Sequence, residues 1–225
     1  MDRRLLLAAA ERATVPGRPR LEVLGPAPPP VKSVGLVAGS FDPMTVAHAA
    51  LAEALGTDLV LLVWSPATMP KAAGPGGEPS TPLLPPEDRL ASLAAWCGSR
   101  PWARAAVSSH GLLADQVEAM DASFPRSVLV IGMGSDKLRQ LFDPAWYEDR
   151  DAVLARMFGR AEVVAAIRGG DRPPVDARWS DRVRFVELPN GLSEVSSRAV
   201  RAAVRRGEDV TTLVPPEVQP FVGPR

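Results

Sequence analysis

The sequence predicts an α/β protein with a doubly wound, mostly parallel sheet and helices on both faces. Three observations carry this. Short continuous apolar runs alternate with helical patterns from Ser33 onward. Those runs are apolar on both faces, as strands covered on both sides are. Their connections are also long enough to hold crossover helices, which parallel neighbours require.

Each element has a local warrant. Strands are expected over Ser33–Ala38, Asp58–Trp64, Trp102–Ser108, Ser127–Met133, Ala161–Ile167 and Arg182–Leu188. Helices are expected over Thr45–Leu55, Pro86–Cys97, Leu112–Ala122 and Pro144–Phe158, where apolar residues recur at helical spacing. Residues 1–32 read differently. Asp2–Ala13 can form a short helix, but Pro16, Gly17, Pro19 and the run Gly25-Pro26-Ala27-Pro28-Pro29-Pro30 break regular structure, so this part is expected to be a Pro-rich, flexible extension before a domain over 33–225. The stretch 72–86 holds five prolines and three glycines and reads as a long loop directly after a strand.

Composition excludes several classes. The 225 residues carry 26 Lys plus Arg and 26 Asp plus Glu, so no global charge draws the chain to nucleic acid or to an anionic membrane surface. Any anion site must be local. The apolar run Leu5–Ala10 ends in Glu11-Arg12 and is too short for a signal peptide, and no run approaches a membrane span. One cysteine, Cys97, excludes an intrachain disulfide. The expectation is a cytoplasmic protein. Homo-oligomer formation is left open. Cys97 reads as a small buried hydrophobe, and His110 as a loop residue. No His, Cys or carboxylate cluster has metal-ligand spacing, so no protein metal site is expected.

In a doubly wound sheet, ligands sit beyond the carboxyl ends of the strands, so the residues after each strand decide function. The first strand runs into Gly39-Ser40-Phe41-Asp42-Pro43-Met44-Thr45-Val46-Ala47-His48. Gly39 permits a tight turn close to a ligand, Pro43 stops the strand, and Thr45 is placed to cap the next helix. His48 lies three residues on, on the same face as the cap. A helix N-terminus offers free N–H groups and positive potential to an anion. With His48 added, it is a candidate phosphate site. Near the C-terminus, Ser196 can cap a second helix, with Ser197 and Arg201 sharing a face. Two hydroxyls and a guanidinium there again suit phosphate.

These segments resemble the nicotinate/nicotinamide mononucleotide adenylyltransferases of the nucleotidyltransferase superfamily. Gly39 to His48 is similar to their (His or Thr)-x-Gly-His signature after a G-S-F-D-P-type turn. Val195-Ser196-Ser197-Arg198-Ala199-Val200-Arg201 is similar to their I-S-S-T-x-I-R segment. Ala47 stands where many members carry glycine. Arg198 replaces a threonine, so that hydrogen bond is not carried over. Met69-Pro70-Lys71 resembles the stretch ending in a phosphate-meeting lysine, and Pro86-Glu87-Asp88-Arg89-Leu90 the helix start that follows it. Ile131-Gly132-Met133-Gly134-Ser135-Asp136 and Pro144-Ala145-Trp146 resemble the nucleoside-pocket segments, and Ala161–Arg168 the strand ending in an adenine-side arginine.

The resemblance implies a Rossmann-like fold and adenylyl transfer from ATP to a pyridine mononucleotide in NAD biosynthesis, with Mg²⁺ carried by ATP. It implies His48, Lys71 and Arg201 as catalytic residues. Gly39, Ser40, Phe41, Thr45, Asp136, Arg168, Ser196 and Ser197 would bind ATP, and Lys71 and Trp146 the mononucleotide. Two alternatives stay open. One is a sister nucleotidyltransferase acting on phosphopantetheine or a phosphorylated alcohol, and the other is a non-catalytic nucleotide-binding protein.

Overall fold

A computed structural model describes residues 2–67, 81–167, 170, 172–192 and 194–223. The strands are β1 (Leu21–Val23), β2 (Ser33–Ala38), β3 (Leu59–Trp64), β4 (Ala103–Ser108), β5 (Val128–Gly134), β6 (Ala161–Ile167) and β7 (Val183–Glu187). The helices are α1 (Arg3–Thr14), α2 (Val46–Ala54), α3 (Pro86–Gly98), α4 (Leu113–Ser123), α5 (Ser135–Phe142), α6 (Arg150–Phe158), α7 (Ser197–Arg205) and α8 (Gln219–Val222).

The strands form one sheet in the order β1-β4-β3-β2-β5-β6-β7. Pairing is parallel throughout except for β1, which lies antiparallel on β4. Central β2 pairs with β3 on one side, Val37 opposite Leu62, and with β5 on the other, Val37 opposite Gly132. Strand order reverses there, so the crevice beyond the carboxyl ends of β2 and β5 is the topological switch point. The fold is the expected Rossmann-like α/β arrangement.

Two apolar layers explain why the strands are hydrophobic on both faces. Val60, Leu62 and Trp64 pack with Leu6, Leu51, Leu90, Leu93 and Val200. Their neighbours Leu59, Leu61 and Val63 pack with Val117, Met120, Leu138 and Leu154 on the other side. Thus α1, α2, α3 and α7 cover one face, and α4, α5 and α6 the other. Two glycines let α2 approach the sheet. A Cβ on Gly35 would lie 2.6 Å from Leu55 Cδ1, and one on Gly132 would lie 3.0 Å from Leu55 Cδ2.

Within the Pro-rich extension, the structure gives residues 3–23 a packed helix and a paired strand. Leu6, Ala9 and Ala13 form the buried stripe of α1, and Arg3 is ion-paired with the buried Asp88 of α3. Strand β1 extends the sheet edge, and Leu24 continues its ladder by donating to the Ala105 carbonyl. Burial of one apolar stripe and edge pairing outweigh the chain-breaking residues between them. The prolines at 26–30 carry no regular element.

One expected helix is divided. Pro144–Trp146 is a single 3₁₀ turn, Tyr147 is extended, and α6 starts only at Arg150 because Asp149 caps it through the Ala152 N–H. Ahead of this, α5 begins directly at the end of β5, a helix that the glycine-rich turn conceals in sequence.

Candidate active site

The site grows from the turn after β2. Gly39 N–H donates to the Val63 carbonyl, which keeps the turn in line with β3. A Cβ at Gly39 would lie 3.2 Å from the Phe41 ring, so glycine lets that ring fold beneath the turn. Phe41 is fully buried and has φ 43°, a left-handed conformation rare for a bulky side chain. The residue therefore belongs to the core and supports the turn from beneath, with no surface of its own to offer a ligand. Packing of the ring holds the strained residue in place.

Thr45 and His48 form a closed capping box at the start of α2. The Thr45 hydroxyl accepts the His48 N–H at 3.4 Å, and His48 Nδ1 accepts the Thr45 N–H at 3.1 Å. The same Nδ1 lies 2.8 Å from Thr45 Oγ1. Histidine fills the position usually taken by Glu or Gln in this motif. With Nδ1 an acceptor, the neutral ring carries its proton on Nε2. The ring also rests at 5.2 Å against Phe41. Cap, tautomer and ring orientation are thus set by one local motif.

The second helix start is joined to the first. Ser196 caps α7 by accepting the Ala199 N–H at 3.1 Å. Ser197 Oγ donates to the Pro43 carbonyl at 2.8 Å, and Arg201 Nη1 donates to the Asp42 carbonyl at 2.6 Å. The shared face of Ser197 and Arg201 is therefore turned to the 39–43 turn. Val46 N–H donates to the Leu213 carbonyl, so the chain beyond α7 also braces α2. Burial lowers the Arg201 guanidinium from its ordinary value, and Asp42 partly opposes this. Arg198, where the resemblance has threonine, is exposed.

Asp42 and Arg89 are site residues that the sequence reading passed over. Asp42 is buried, accepts the Leu83 and Leu84 N–H groups, and lies 3.6 Å from both Arg89 and Arg201. Arg89 donates to the Ser40 and Leu84 carbonyls, and burial lowers its guanidinium while Asp42 counteracts. The available signal was a lone acid between Phe41 and Pro43 in the strand-end turn, with Arg89 in a segment already noted.

Asp136 lies in the first turn of α5, at the end of the strand beside β2, with a mostly exposed side chain paired to Arg139 at 3.4 Å. The structure thus brings Gly39, Ser40, Thr45, His48, Ser196, Ser197 and Arg201 to the carboxyl end of β2, with Asp136 after the neighbouring strand. Lys71, Arg168 and the side chain of Trp146 lie outside the described residues. Cys97 is buried in α3, and burial pushes its thiol up to about 12. His110 lies in the loop after β4, its Nδ1 2.9 Å from Ser109 Oγ. Among the described residues, no group of three His, Cys, Asp or Glu side chains could hold a metal ion. Among them also, no helix is long and apolar enough to cross a membrane.

No protein-family model matches the chain. The chain is 34% identical over 202 residues to a protein of Anaeromyxobacter sp. (strain K) named probable nicotinate-nucleotide adenylyltransferase, covering 85% of this chain and 94% of that one. A protein of the same name from Anaeromyxobacter dehalogenans (strain 2CP-1) is 33% identical with the same coverage. Another, from Salinibacter ruber, is 27% identical over 197 residues, 84% of this chain and 94% of the relative. In architecture the chain is similar to Plasmodium falciparum nicotinic acid mononucleotide adenylyltransferase, solved as complexes with APC and with NaAD. There the TM-score is 0.58 at 14% identity, over 85% of this chain and 94% of that one. With relatives of this identity along nearly their whole length, and with the matching fold, the chain belongs to the nicotinate-nucleotide adenylyltransferase family and is a nucleotidyltransferase.

Proposed function

We propose that this enzyme transfers the adenylyl group of ATP to nicotinate mononucleotide, forming the dinucleotide and pyrophosphate in NAD biosynthesis. A phosphate oxygen of the mononucleotide attacks the α-phosphorus of ATP, and the bond to the β-phosphate breaks as pyrophosphate leaves. A phosphate monoester is already ionised near neutral pH, so the attacking group needs no base. Positioning and charge neutralisation remain to be supplied.

One observation carries the reading. The N-termini of two nine-residue helices, α2 and α7, are tied to the same turn at the switch point by Ser197 and Arg201. Each presents amide N–H groups to an anion. His48 Nε2–H is the donor for charge developing on the phosphates, and Arg201 adds positive charge from beneath the turn. Gly39 and Ser40 border the phosphates over the buried Phe41, with Thr45, Ser196 and Ser197 holding the two helix starts.

Asp136 and Arg168 are assigned to the nucleoside side, Lys71 to the phosphates, and Trp146 to the pyridine ring, all by resemblance. Mg²⁺ fits best as a partner of the ATP phosphates, since the carboxylate at the turn, Asp42, is engaged by Leu83, Leu84, Arg89 and Arg201. The names of the relatives favour the acid substrate over the amide.

The test is pyrophosphate release from ATP across nicotinate mononucleotide, nicotinamide mononucleotide, phosphopantetheine and a phosphorylated alcohol. Turnover fastest with nicotinate mononucleotide is expected. Turnover with phosphopantetheine alone, or ATP binding without turnover, would reject the assignment. Trp146→Ala sharpens it. A raised KM for the mononucleotide, with KM for ATP and Tm kept, supports stacking on the pyridine, worth about 1–3 kcal/mol on the scale of base–aromatic pairs. Loss of several degrees of Tm with normal mononucleotide binding would place that tryptophan in the core instead.

A further inference from the structure

We propose that Asp42 is a positioning residue for adenylyl transfer: one buried carboxylate, shared by two arginines, that sets how much positive charge the turn offers to the phosphates. This rests on the reaction proposed above, although its decisive measurement does not need the mononucleotide.

The geometry is unequal by construction. Asp42 Oδ1 accepts the Leu83 N–H at 3.0 Å and the Leu84 N–H at 2.8 Å, while Oδ2 shares the Leu83 N–H at 3.3 Å and lies 3.6 Å from both Arg89 Nη2 and Arg201 Nη1. The carboxylate side chain is 7% exposed, and the two cations 11% and 9%. One negative charge thus stands between two guanidinium groups in a largely enclosed place, and Arg198 and Arg205 add their fields to Arg201. A buried pair that balanced would leave nothing for a ligand. Here one carboxylate is shared by two cations, beside two helix N-termini.

Asp42 also controls where that charge sits. Arg201 reaches the Asp42 carbonyl and Arg89 the Ser40 carbonyl, so each cation braces the turn whose backbone meets the phosphates. Through Leu83 and Leu84 the same carboxylate fixes the chain entering α3, which bears Arg89. Without its charge, the two guanidinium groups repel each other and gain freedom to follow a polyanion. Phosphate then binds more tightly in the ground state and is held less well for in-line attack. Loss of ground-state restraint appears as a fall in both KM and kcat.

A carboxylate that merely held the fold together would move both parameters adversely. Two substitutions separate the cases. Asp42→Asn keeps an oxygen for the Leu83 and Leu84 N–H groups and removes the charge. Inorganic pyrophosphate, measured by calorimetry on the full chain, should bind several-fold tighter, with KM for ATP lowered and kcat down at least tenfold. Arg89→Gln leaves Asp42 to Arg201 alone. Pyrophosphate should then bind several-fold more weakly, and KM for ATP should rise.

Opposite directions for the two variants support the proposal. Weaker or unchanged pyrophosphate binding by Asp42→Asn overturns it. If that variant does not fold, Arg89→Gln decides: unaltered pyrophosphate affinity overturns the proposal. A wild-type enzyme that binds no pyrophosphate overturns it as well. If wild type binds pyrophosphate but does not adenylylate a pyridine mononucleotide, the substrate assignment fails and the comparison of pyrophosphate affinities still stands.

Discussion

Ser197 on α7 donates its hydroxyl to the Pro43 carbonyl at 2.8 Å across 154 residues of sequence. This bond joins the two motifs that resemble the family's signature segments. It ties two separate helix starts to one turn.

His48 has two separable roles. His48→Ala should lower kcat by about two to three decades, the cost of one preorganised donor, roughly 2.7–4 kcal/mol. It also removes half of a capping box, worth about 1 kcal/mol, so Tm should fall by about 2–4 °C. His48→Gln can rebuild the capping box and should recover Tm without recovering turnover. Turnover recovered by Gln would mean that the histidine serves only as a cap.

Leu6 tests the N-terminal segment. Its side chain is fully buried within the α1 side of the core. Leu6→Ala should cost about 2–5 kcal/mol by urea unfolding, as large-to-small core substitutions do. An unchanged midpoint would mean that residues 1–32 do behave as a tether in solution.

Gly132→Ala probes the spacing between α2 and the sheet. The new methyl would lie 3.0 Å from Leu55 Cδ2, 3.1 Å from Val37 Cγ2 and 3.3 Å from Leu51 Cγ. Overpacking of this kind costs about 1–3 kcal/mol. Because α2 bears His48 at its first turn, kcat should fall together with the urea midpoint. Stability lost with kcat retained would show that α2 moves without disturbing its N-terminus.

Cys97 gives a pH signature. Burial pushes its thiol up to about 12, whereas an unfolded cysteine ionises near 8.5. The folded state therefore binds more protons above that lower value, and stability falls as pH rises toward 12. The stability difference between wild type and Cys97→Ala should be constant below about pH 8 and move against wild type above it. A thiol reagent at pH 8 should react with Cys97 only after unfolding. Rapid reaction in the native state would contradict its burial.

Much of this protein was legible in sequence, for physical reasons that can be named. Val163–Ile167 is apolar throughout because both faces of its strand are covered there, and it reads directly as a strand. Thr45 and Ser196 read as caps because capping depends on residues three positions apart. The division at Tyr147 was not readable, since it depends on Asp149 outcompeting a continuous helical pattern. Nor was β1, whose three residues become a strand only by pairing with β4.

By itself, the sequence determined the α/β alternation, both helix starts and the family likeness, because periodicity, capping and turn chemistry act over a few residues. Tertiary structure alone decided which groups those helix starts face. Ser197 and Arg201 share a face by helical spacing, yet only the strand order places Pro43 and Asp42 beneath it. The same packing buries Phe41 completely beneath the turn. It also sets one carboxylate, Asp42, between cations from α3 and α7. Such long-range electrostatic contacts have no sequence period, and they exist only once the sheet has brought their elements together.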